Sequence, residues 1–417
     1  MTQAMQALAA GAKQAARVLA KLTRGDKDAF LLALAAALEA RQAEVLAANA
    51  EDMAAGAAAG LSAAMLDRLR LDGGRLTALA GAVRDVAALF DLVGDIVGMQ
   101  RRPNGMQVGR MRVPLGVIAI IYESRPNVTV DAAVLCFKAG NACILRGGKE
   151  AVRSNTALGR IMRDTLAASG LPAAAIGVVE TTDRDAMREL LQFDELIDVV
   201  IPRGGENLIR FVREHARIPV ISHLKGVCHT YVDAAADLAM AEEICFNAKV
   251  QRPGVCNAME TMLVHRAVAA QFLPAMCRRL AAAQVELRGC PETVRLAGVP
   301  VTPATEADWP AEYTDLILAV RVVDSLDAAL DHIARYSSQH SDAIVTNDWP
   351  AAQRFLNEVD SAAVFVNAST RFNDGGEFGL GAEIGISTQK LHCRGPMGLA
   401  ELTSLKFVVL GSGQVRG

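Results

Sequence analysis

The chain has 417 residues, more than one ordinary domain, and this length indicates two or three domains. Hydrophobic residues make up 52% and charged residues 21%, a balance typical of a globular protein that excludes a disordered chain. The formal net charge of −3 gives no basic field for nucleic acid or an anionic membrane, so we expect neither as a partner.

The apolar stretches and the cysteines indicate in which cellular compartment the protein works. The longest strongly apolar stretch, 113–121, is about half the length that spans a bilayer, so we expect no transmembrane helix. The eight cysteines include no Cys-x-x-Cys pair, and a chain of this length needs no disulfides. Free thiols in a reducing compartment are therefore expected, which indicates a cytoplasmic protein.

Residues 1–24 allow two interpretations. They are basic and contain no acid before Asp26, as in a transit peptide. Their apolar residues follow helical spacing, however, and no apolar core followed by a cleavage site is present. We favour an ordinary first helix of a cytoplasmic protein.

The first hundred residues have helical patterns, then a hairpin pattern. We predict a helix over 28–49 and a helical segment over 62–92 that is interrupted at Asp72, with Ser62 as an N-cap. Residues 99–112 place Pro-Asn-Gly between flanks that roughly alternate polar and apolar residues, which predicts a β-hairpin.

Strand and helix patterns alternate through the rest of the chain. Predicted strands in the first half are 117–122, 142–145, 176–179, 198–201 and 219–221. The second half contributes 230–232, 261–264, 316–323, 342–346 and 363–367, followed by a strand-like tail at 405–410. Strands alternating with helices predict parallel sheets, and the first half should be a doubly wound α/β domain that binds ligands at the carboxyl ends of its strands.

The clearest candidate nucleophile is Cys256, on a predicted loop marked by Pro253 and Gly254. A cysteine on such a loop is accessible, and Arg252 nearby in sequence favours the thiolate. The alternative is a small buried apolar residue, which describes most free cysteines. The other seven cysteines lack such a setting.

Two glycine-containing turns, each between a strand and a helix, are candidate phosphate sites. One contains Arg146 and Lys149, and the other contains Gly204 and Gly205. The free N–H groups and the dipole of a helix start favour an anion. Positive charge at the first turn suits the 2′-phosphate of NADP(H), although a solvated basic turn is equally compatible with this pattern.

Two further polar segments follow predicted strands. The turn at 122–129 contains Arg125, suited to a carboxylate or phosphate, and Asn127, suited to an oxyanion, although a capped turn with a solvated arginine is the alternative. Residues 222–229 contain two histidines and a cysteine, but their spacing matches no zinc pattern, so we expect no metal.

Taken together, these segments resemble the aldehyde dehydrogenase superfamily, and within it the gamma-glutamyl phosphate reductase family (glutamate-5-semialdehyde dehydrogenases). The resemblance covers essentially the whole chain. Its specific stretches are Tyr122–Thr129, Gly140–Ala151, Lys249–Asn257, Phe378–Ile386, Arg394–Gly398 and Glu401–Phe407.

The resemblance implies an aldehyde dehydrogenase-like α/β fold with three parts. A cofactor-binding domain would span 1–228 and a catalytic domain 229–390. The hairpin 99–112 and the tail 391–417 would form an oligomerisation element, and exposed strand edges there imply a homo-oligomer, a dimer or larger.

Residue roles also follow from the resemblance. Cys256 matches the nucleophile of the superfamily, and the Arg146 to Lys149 turn matches the segment that holds the adenosine ribose. Gly204 and Gly205 match the turn beside the dinucleotide phosphates. Glu312 falls where a glutamate holds the nicotinamide ribose, although the Gly-Pro that usually follows is absent.

One departure from the superfamily is informative. Hydrolytic members carry a general-base glutamate in Glu-Leu-Gly-Gly, where this chain has His223-Leu-Lys-Gly. Loss of the carboxylate suits an acyl-phosphate reductase, because activated water would destroy its thioester. Lys225 and Arg252 are candidates for assisting phosphate departure.

The implied reaction is the NADPH-dependent reduction of L-glutamyl 5-phosphate to L-glutamate 5-semialdehyde, the second step of proline biosynthesis, through a thioester on Cys256. Glutamate 5-kinase, which supplies such an acyl phosphate, is the implied transient partner. An acyl-CoA reductase and a non-catalytic dinucleotide-binding protein are the alternative interpretations.

Overall fold

The computed structural model describes residues 2–416, which form two compact units. The first unit runs to Ser222 and also takes in Leu380–Gly385 and the chain from Met397 onward. The second unit consists of His223–Gly379 and Ile386–Pro396. The division therefore falls at Ser222, whereas the sequence analysis drew it after residue 228, and residues 391–396 group with the second unit.

Helices occur throughout both units. They are α1 (Thr2–Leu19), α2 (Arg24–Ala40), α3 (Gln42–Ala58), α4 (Ala63–Leu69), α5 (Gly73–Ala88), α6 (Asn127–Lys138), α7 (Val152–Ala168), α8 (Arg184–Leu190), α9 (Glu206–His215), α10 (Leu238–Val250), α11 (Arg266–Ala282), α12 (Pro291–Leu296), α13 (Leu326–Tyr336) and α14 (Trp349–Glu358). Across residues 2–416, no helix combines the length and the apolar composition that crossing a membrane requires.

The strands are shorter than the helices. They are β1 (Ile96–Arg101), β2 (Gln107–Pro114), β3 (Val117–Tyr122), β4 (Ala142–Arg146), β5 (Ile176–Val178), β6 (Val199–Arg203), β7 (Cys228–Val232), β8 (Met259–His265), β9 (Glu286–Gly289), β10 (Thr302–Pro303), β11 (Ile317–Val323), β12 (Ser341–Val345), β13 (Ala363–Val366), β14 (Ile386–Ser387), β15 (Gly395–Pro396) and β16 (Thr403–Leu410).

A parallel four-stranded sheet in the order β5-β4-β3-β6 forms the centre of the first unit. Every residue of β3 is buried, which explains its continuous apolar sequence, because a parallel strand covered on both faces needs no polar side. The strand order reverses beside β3, so the carboxyl ends of β3 and β6 border the crevice in which doubly wound folds bind ligands.

The second unit contains a seven-stranded sheet in the order β10-β9-β11-β8-β7-β12-β13. All of its neighbouring strands pair in parallel. Helices α10 and α11 contribute Cys245, Phe272 and Met276 to the core on one face. Because β8, β7 and β12 are neighbours and run in the same direction, the segments that precede them meet at one edge of the sheet.

A separate antiparallel sheet in the first unit joins the hairpin to a strand from far along the chain. β1 pairs with β2, and β16 pairs with β2 on its other side from Thr403 opposite Pro114 to Leu410 opposite Gln107. The predicted hairpin and the predicted tail strand are both confirmed. The strands extend beyond the predicted hairpin bounds of 99–112.

The helical predictions hold with one correction. Ser62 caps α4 by accepting from the amide of Met65, and Asp72 caps α5. The single helix predicted over 28–49 is wrong, because it divides at Arg41 into α2 and α3. Arg41 leaves helical geometry and contacts Glu44 and Asp164, and no glycine or proline marks this break in the sequence.

One strand prediction is also wrong. The segment predicted as a strand at 219–221 makes only an isolated bridge between Val220 and Val200. Pro219 has no N–H to donate, so pairing cannot continue there. Strand β9 and the two-residue edge strand β10 were not predicted.

Candidate active site

Cys256 lies on a turn between α10 and β8 in the second unit. Its side chain is half-buried, and among the other seven cysteines only Cys290 shares this partial exposure. A nucleophile must be accessible to its substrate. Cys256 meets this requirement, and it is not packed among aliphatic side chains as a structural cysteine would be.

Two histidines accompany Cys256 at the edge of the sheet where β7, β8 and β12 begin. His223 precedes β7, and His340 directly precedes β12. Sγ of Cys256 and one ring nitrogen of each histidine all lie within 4.8 Å of one another. We singled out His223 from the sequence because it matches the general-base glutamate of hydrolytic members, but we did not predict His340, which is far from Cys256 along the chain.

Hydrogen bonding fixes the proton of His223. Its Nδ1 lies 2.9 Å from the carbonyl oxygen of Ile386. A carbonyl only accepts, so Nδ1 donates, and in the neutral ring Nε2 carries the lone pair. A ring nitrogen in this state is able to accept the proton of a thiol.

The ring of His340 is fully buried and packs edge-on against that of His223, with centroids 5.3 Å apart. Burial, reinforced by His223, lowers the pKa of His340 to about 3, which keeps this imidazole neutral near pH 7. Its Nδ1 contacts the hydroxyl of Ser341 at 2.8 Å. Its Nε2 is buried and has no hydrogen-bond partner among the residues described.

The segment that follows β13 holds the Cys256 turn in place. Asn257 donates from Nδ2 to the carbonyl of Asn373 at 3.0 Å, and its own carbonyl accepts from the hydroxyl of Thr370 at 2.8 Å. The guanidinium of Arg371 bonds to Oδ1 of Asn257 and, at 2.8 Å, to Oε1 of Gln251. Cys256, the candidate nucleophile, therefore lies on a turn that several hydrogen bonds hold in place.

Arg371 brings a second cation beside the predicted Arg252. Burial lowers the pKa of Arg371, and Arg252 lowers it further, while Asp374 and Cys256 oppose the shift. These influences require the two guanidinium groups and the thiol to be near one another. Arg371 is a site residue that no motif in the sequence marks.

Two other predicted residues also lie in the second unit. Lys225 is half-buried in the segment that leads into β7, in the stretch that carries His223. Glu312 is half-buried on the loop before β11. There it contributes to the pKa of Glu260, which burial raises to about 7 against the influence of Lys249.

The predicted crevice of the first unit contains the Gly204–Gly205 turn. Gly205 precedes α9, and its amide donates to a carboxylate oxygen of Glu123 at 2.9 Å. A Cβ on Gly204 would lie 2.5 Å from that carboxylate, so a side chain at this position would displace Glu123 from the turn. The turn thus already binds a negatively charged group through its main chain.

The turn after β4 lies next to this crevice. Arg146 is half-buried, burial lowers its pKa against the influence of Glu150, and its Nε is buried without a hydrogen-bond partner among the described residues. Lys149 is exposed at the start of a short 3-10 helix, Lys149–Ala151. Glu150 accepts from the amide of Ser124 at 2.9 Å, which connects this turn to the loop that follows β3.

Arg125 and Asn127 follow β3 in the first unit. Arg125 is exposed on the loop, and Asn127 is the first residue of α6. The Asn127 amide donates to Asp131 at 2.9 Å. Burial raises the pKa of Asp131 to about 6, and this hydrogen bond opposes the rise.

Comparison with known proteins identifies the family. Residues 2–296 match the model of the aldehyde dehydrogenase family. Gamma-glutamyl phosphate reductase of Moorella thermoacetica is 58% identical over 406 residues, which are 97% of each chain. That of Geobacter sp. strain M21 is 55% identical over 416 residues, 100% of this chain and 99% of that protein.

A solved structure agrees with these relatives. The crystal structure of gamma-glutamyl phosphate reductase from Thermotoga maritima has a TM-score of 0.97 and 45% identity, covering 99% of this chain and 100% of that one. The predicted fold is confirmed by this match. The chain is an enzyme of the aldehyde dehydrogenase family, which uses nicotinamide cofactors, and within it belongs to the gamma-glutamyl phosphate reductases.

Proposed function

We propose that this enzyme reduces L-glutamyl 5-phosphate to L-glutamate 5-semialdehyde and phosphate with NADPH, the second step of proline biosynthesis. The observation that carries the proposal is the half-exposed Cys256 beside two histidines and near two guanidinium groups. The names of the full-length relatives support the same substrate.

The first step is acyl transfer to sulfur. Nε2 of His223 takes the thiol proton of Cys256, and the thiolate attacks the acyl carbon. A C–S bond forms, the C–O bond to phosphate breaks, and the phosphate leaves with its electron pair. Arg252 and Arg371 offset its charge, and Lys225 is a further candidate for this role.

The oxyanion of the tetrahedral intermediate requires hydrogen-bond donors. We assign this role to the backbone N–H of Cys256 and to the side-chain amide of Asn127. Loss of one such donor typically raises the barrier by about 3 kcal/mol. Arg125, exposed near the carboxyl end of β3, is a candidate for binding a substrate carboxylate or phosphate.

The first unit fits NADP(H). The buried, unpartnered Nε of Arg146 lies where an anion would satisfy it, and Lys149 adds a second charge for the 2′-phosphate.

Gly204 and Gly205 would hold the pyrophosphate once Glu123 gives up its bond to the turn, and Glu312 would bind the nicotinamide ribose. When bound, NADPH supplies the hydride that converts the Cys256 thioester into a thiohemiacetal, which collapses to the aldehyde.

Partners follow from the same chemistry. Acyl phosphates are labile, so glutamate 5-kinase is proposed as a transient partner in the cytoplasm. The sheet β1-β2-β16 exposes Ile96, Val97, Phe407, Val409 and Leu410. We propose that a second copy of the chain covers this surface in a dimer or larger oligomer.

The test is phosphate-dependent oxidation of the semialdehyde by NADP⁺, with each component omitted in turn. Cys256→Ser should abolish turnover and retain NADPH binding, while Cys290→Ser, at the other partly exposed cysteine, should keep both. Activity near that of the unmodified enzyme in Cys256→Ser would remove this residue from the mechanism. Activity with CoA in place of phosphate would instead identify an acyl-CoA reductase.

A further inference from the structure

The cluster of Cys256, His223 and His340 contains more ligand capacity than the proposed reaction uses. Removing a proton from Cys256 needs one base, and His223 suffices. His340 nevertheless lies fully buried with Nε2 unpartnered among the residues described. A buried polar atom without a partner is uncommon in folded proteins, and a bound ion beside this nitrogen would satisfy it.

The three side chains have the donor set of a zinc site. They offer one sulfur and two imidazole nitrogens, which zinc prefers over carboxylate oxygens. His223 donates from Nδ1 to the Ile386 carbonyl, the second contact that metal-bound histidines usually make. Nδ1 of His340 is likewise engaged by Ser341, so Nε2 is the ring nitrogen that each histidine offers.

The three ligand atoms are nearly as close to one another as they would be around a bound zinc ion. The ligand atoms lie within 4.8 Å of one another, and a tetrahedral zinc ion would bring them to about 3.5 Å, given its bond lengths of about 2.0 Å to nitrogen and 2.3 Å to sulfur. Small rotations of the half-buried Cys256 and His223 side chains towards the fixed His340 ring close that gap.

We propose that Cys256, His223 and His340 form a site for Zn²⁺ that reversibly blocks the enzyme. Zinc would bind the thiolate and two neutral imidazoles, release the thiol proton to solvent and leave a fourth position for water. The nucleophile would then be unable to attack. The binding itself needs only these three side chains and does not rest on the proposed reaction.

The experiment measures binding and activity separately. Chelator-treated enzyme is titrated with Zn²⁺ in competition with a chromophoric chelator, and one ion per chain is expected. Mg²⁺, which prefers oxygen ligands, should not compete. Cys256→Ser and His340→Gln should each weaken the binding of Zn²⁺ at least tenfold, whereas Cys290→Ser and His392→Asn should not.

The outcomes separate this proposal from the proposed function. Absence of stoichiometric binding, or equal affinity in all variants, would overturn the zinc site even if the enzyme is fully active. Loss of semialdehyde oxidation at one equivalent of Zn²⁺, restored by EDTA, would support the block, and activity unaffected by bound zinc would overturn it. If His340→Gln does not fold, His223→Gln carries the same test.

Discussion

A Cβ placed on Gly226 would lie 2.1 Å from the carbonyl oxygen of Cys256 and 2.6 Å from its Cα. No side chain fits in that space, so the main chain that leads into β7 runs directly against the main chain of the Cys256 turn. Cys228, two residues later, adds a contact from its Sγ to the same carbonyl at 3.2 Å. The position of His223 relative to Cys256 therefore depends on a glycine.

Substituting Gly226 with alanine should displace this turn. We expect Gly226→Ala to reduce kcat about a hundredfold, because a shift of about 1 Å at a reacting group has effects of that size. Gly254→Ala in the same loop is the matched control, since the nearest atom to its Cβ would be Thr314 O at 3.6 Å. Equal rates for the two variants would show that the contact does not position the nucleophile.

Arg371 should contribute to both stability and phosphate use. Arg371→Gln removes its bonds to Asn257 and Gln251, and a hydrogen bond to a charged group is worth about 2 kcal/mol. We expect that loss in urea unfolding, together with a higher KM for phosphate. Arg354→Gln on α14 breaks exposed ion pairs and should cost at most about 1 kcal/mol, with KM unchanged.

From the resemblance to the superfamily, we expect His223 to stand where hydrolytic members carry their general-base glutamate. His223→Glu should therefore gain thioester hydrolysis, because a carboxylate near Cys256 can activate water. The measurement is phosphate-independent oxidation of an aldehyde by NADP⁺. His223→Gln, which also lacks the proposed base for Cys256, gives the background rate of hydrolysis. Absence of any gain in the glutamate variant would mean that the missing base is not what excludes hydrolysis.

Burial of His340 predicts a loss of stability in acid. Its pKa is about 3 in the folded chain and about 6.5 when exposed, so below pH 6.5 the unfolded chain binds a proton that the folded chain does not. The free energy of unfolding should fall between pH 6.5 and 3, by about 2 kcal/mol from pH 7 to 5. His340→Gln should reduce this fall, and His392→Asn should not; equal falls would contradict the assignment.

The exposed strand β16 should carry the subunit contact. Phe407 is 70% exposed, and Phe407→Asp should place a charge in the interface and shift sedimentation towards smaller species. Leu391→Asp, at a residue 86% exposed in the second unit, is the control. An unchanged sedimentation profile for Phe407→Asp would exclude this sheet from the interface.

Much of the fold could be predicted from the sequence, because the signals for its strands and helix ends span only a few neighbouring residues. The apolar run of β3, the N-cap at Ser62 and the interruption at Asp72 each depend on a few neighbouring residues, and each lies where we predicted it. The break at Arg41 was not predictable, because it arises from contacts such as that with Asp164 rather than from a helix-breaking residue.

The candidate site, too, could be predicted only where the signal lies in neighbouring residues. Cys256 was predictable from its Pro-Gly turn, which sets its exposure locally. His340 and Arg371 were not, because they reach Cys256 only through the parallel order of β8, β7, β12 and β13. No spacing in the sequence encodes which strands become neighbours.

The pairing of β16 with β2 has a consequence for biosynthesis. Thr403 pairs with Pro114, 289 residues earlier, so a nascent chain carries the free edge of β2 while the ribosome makes everything in between. Closing so long a loop costs entropy before any pairing is gained. Completion of this sheet is therefore a late event, and the proposed docking of a second copy on it would wait until translation has passed Leu410.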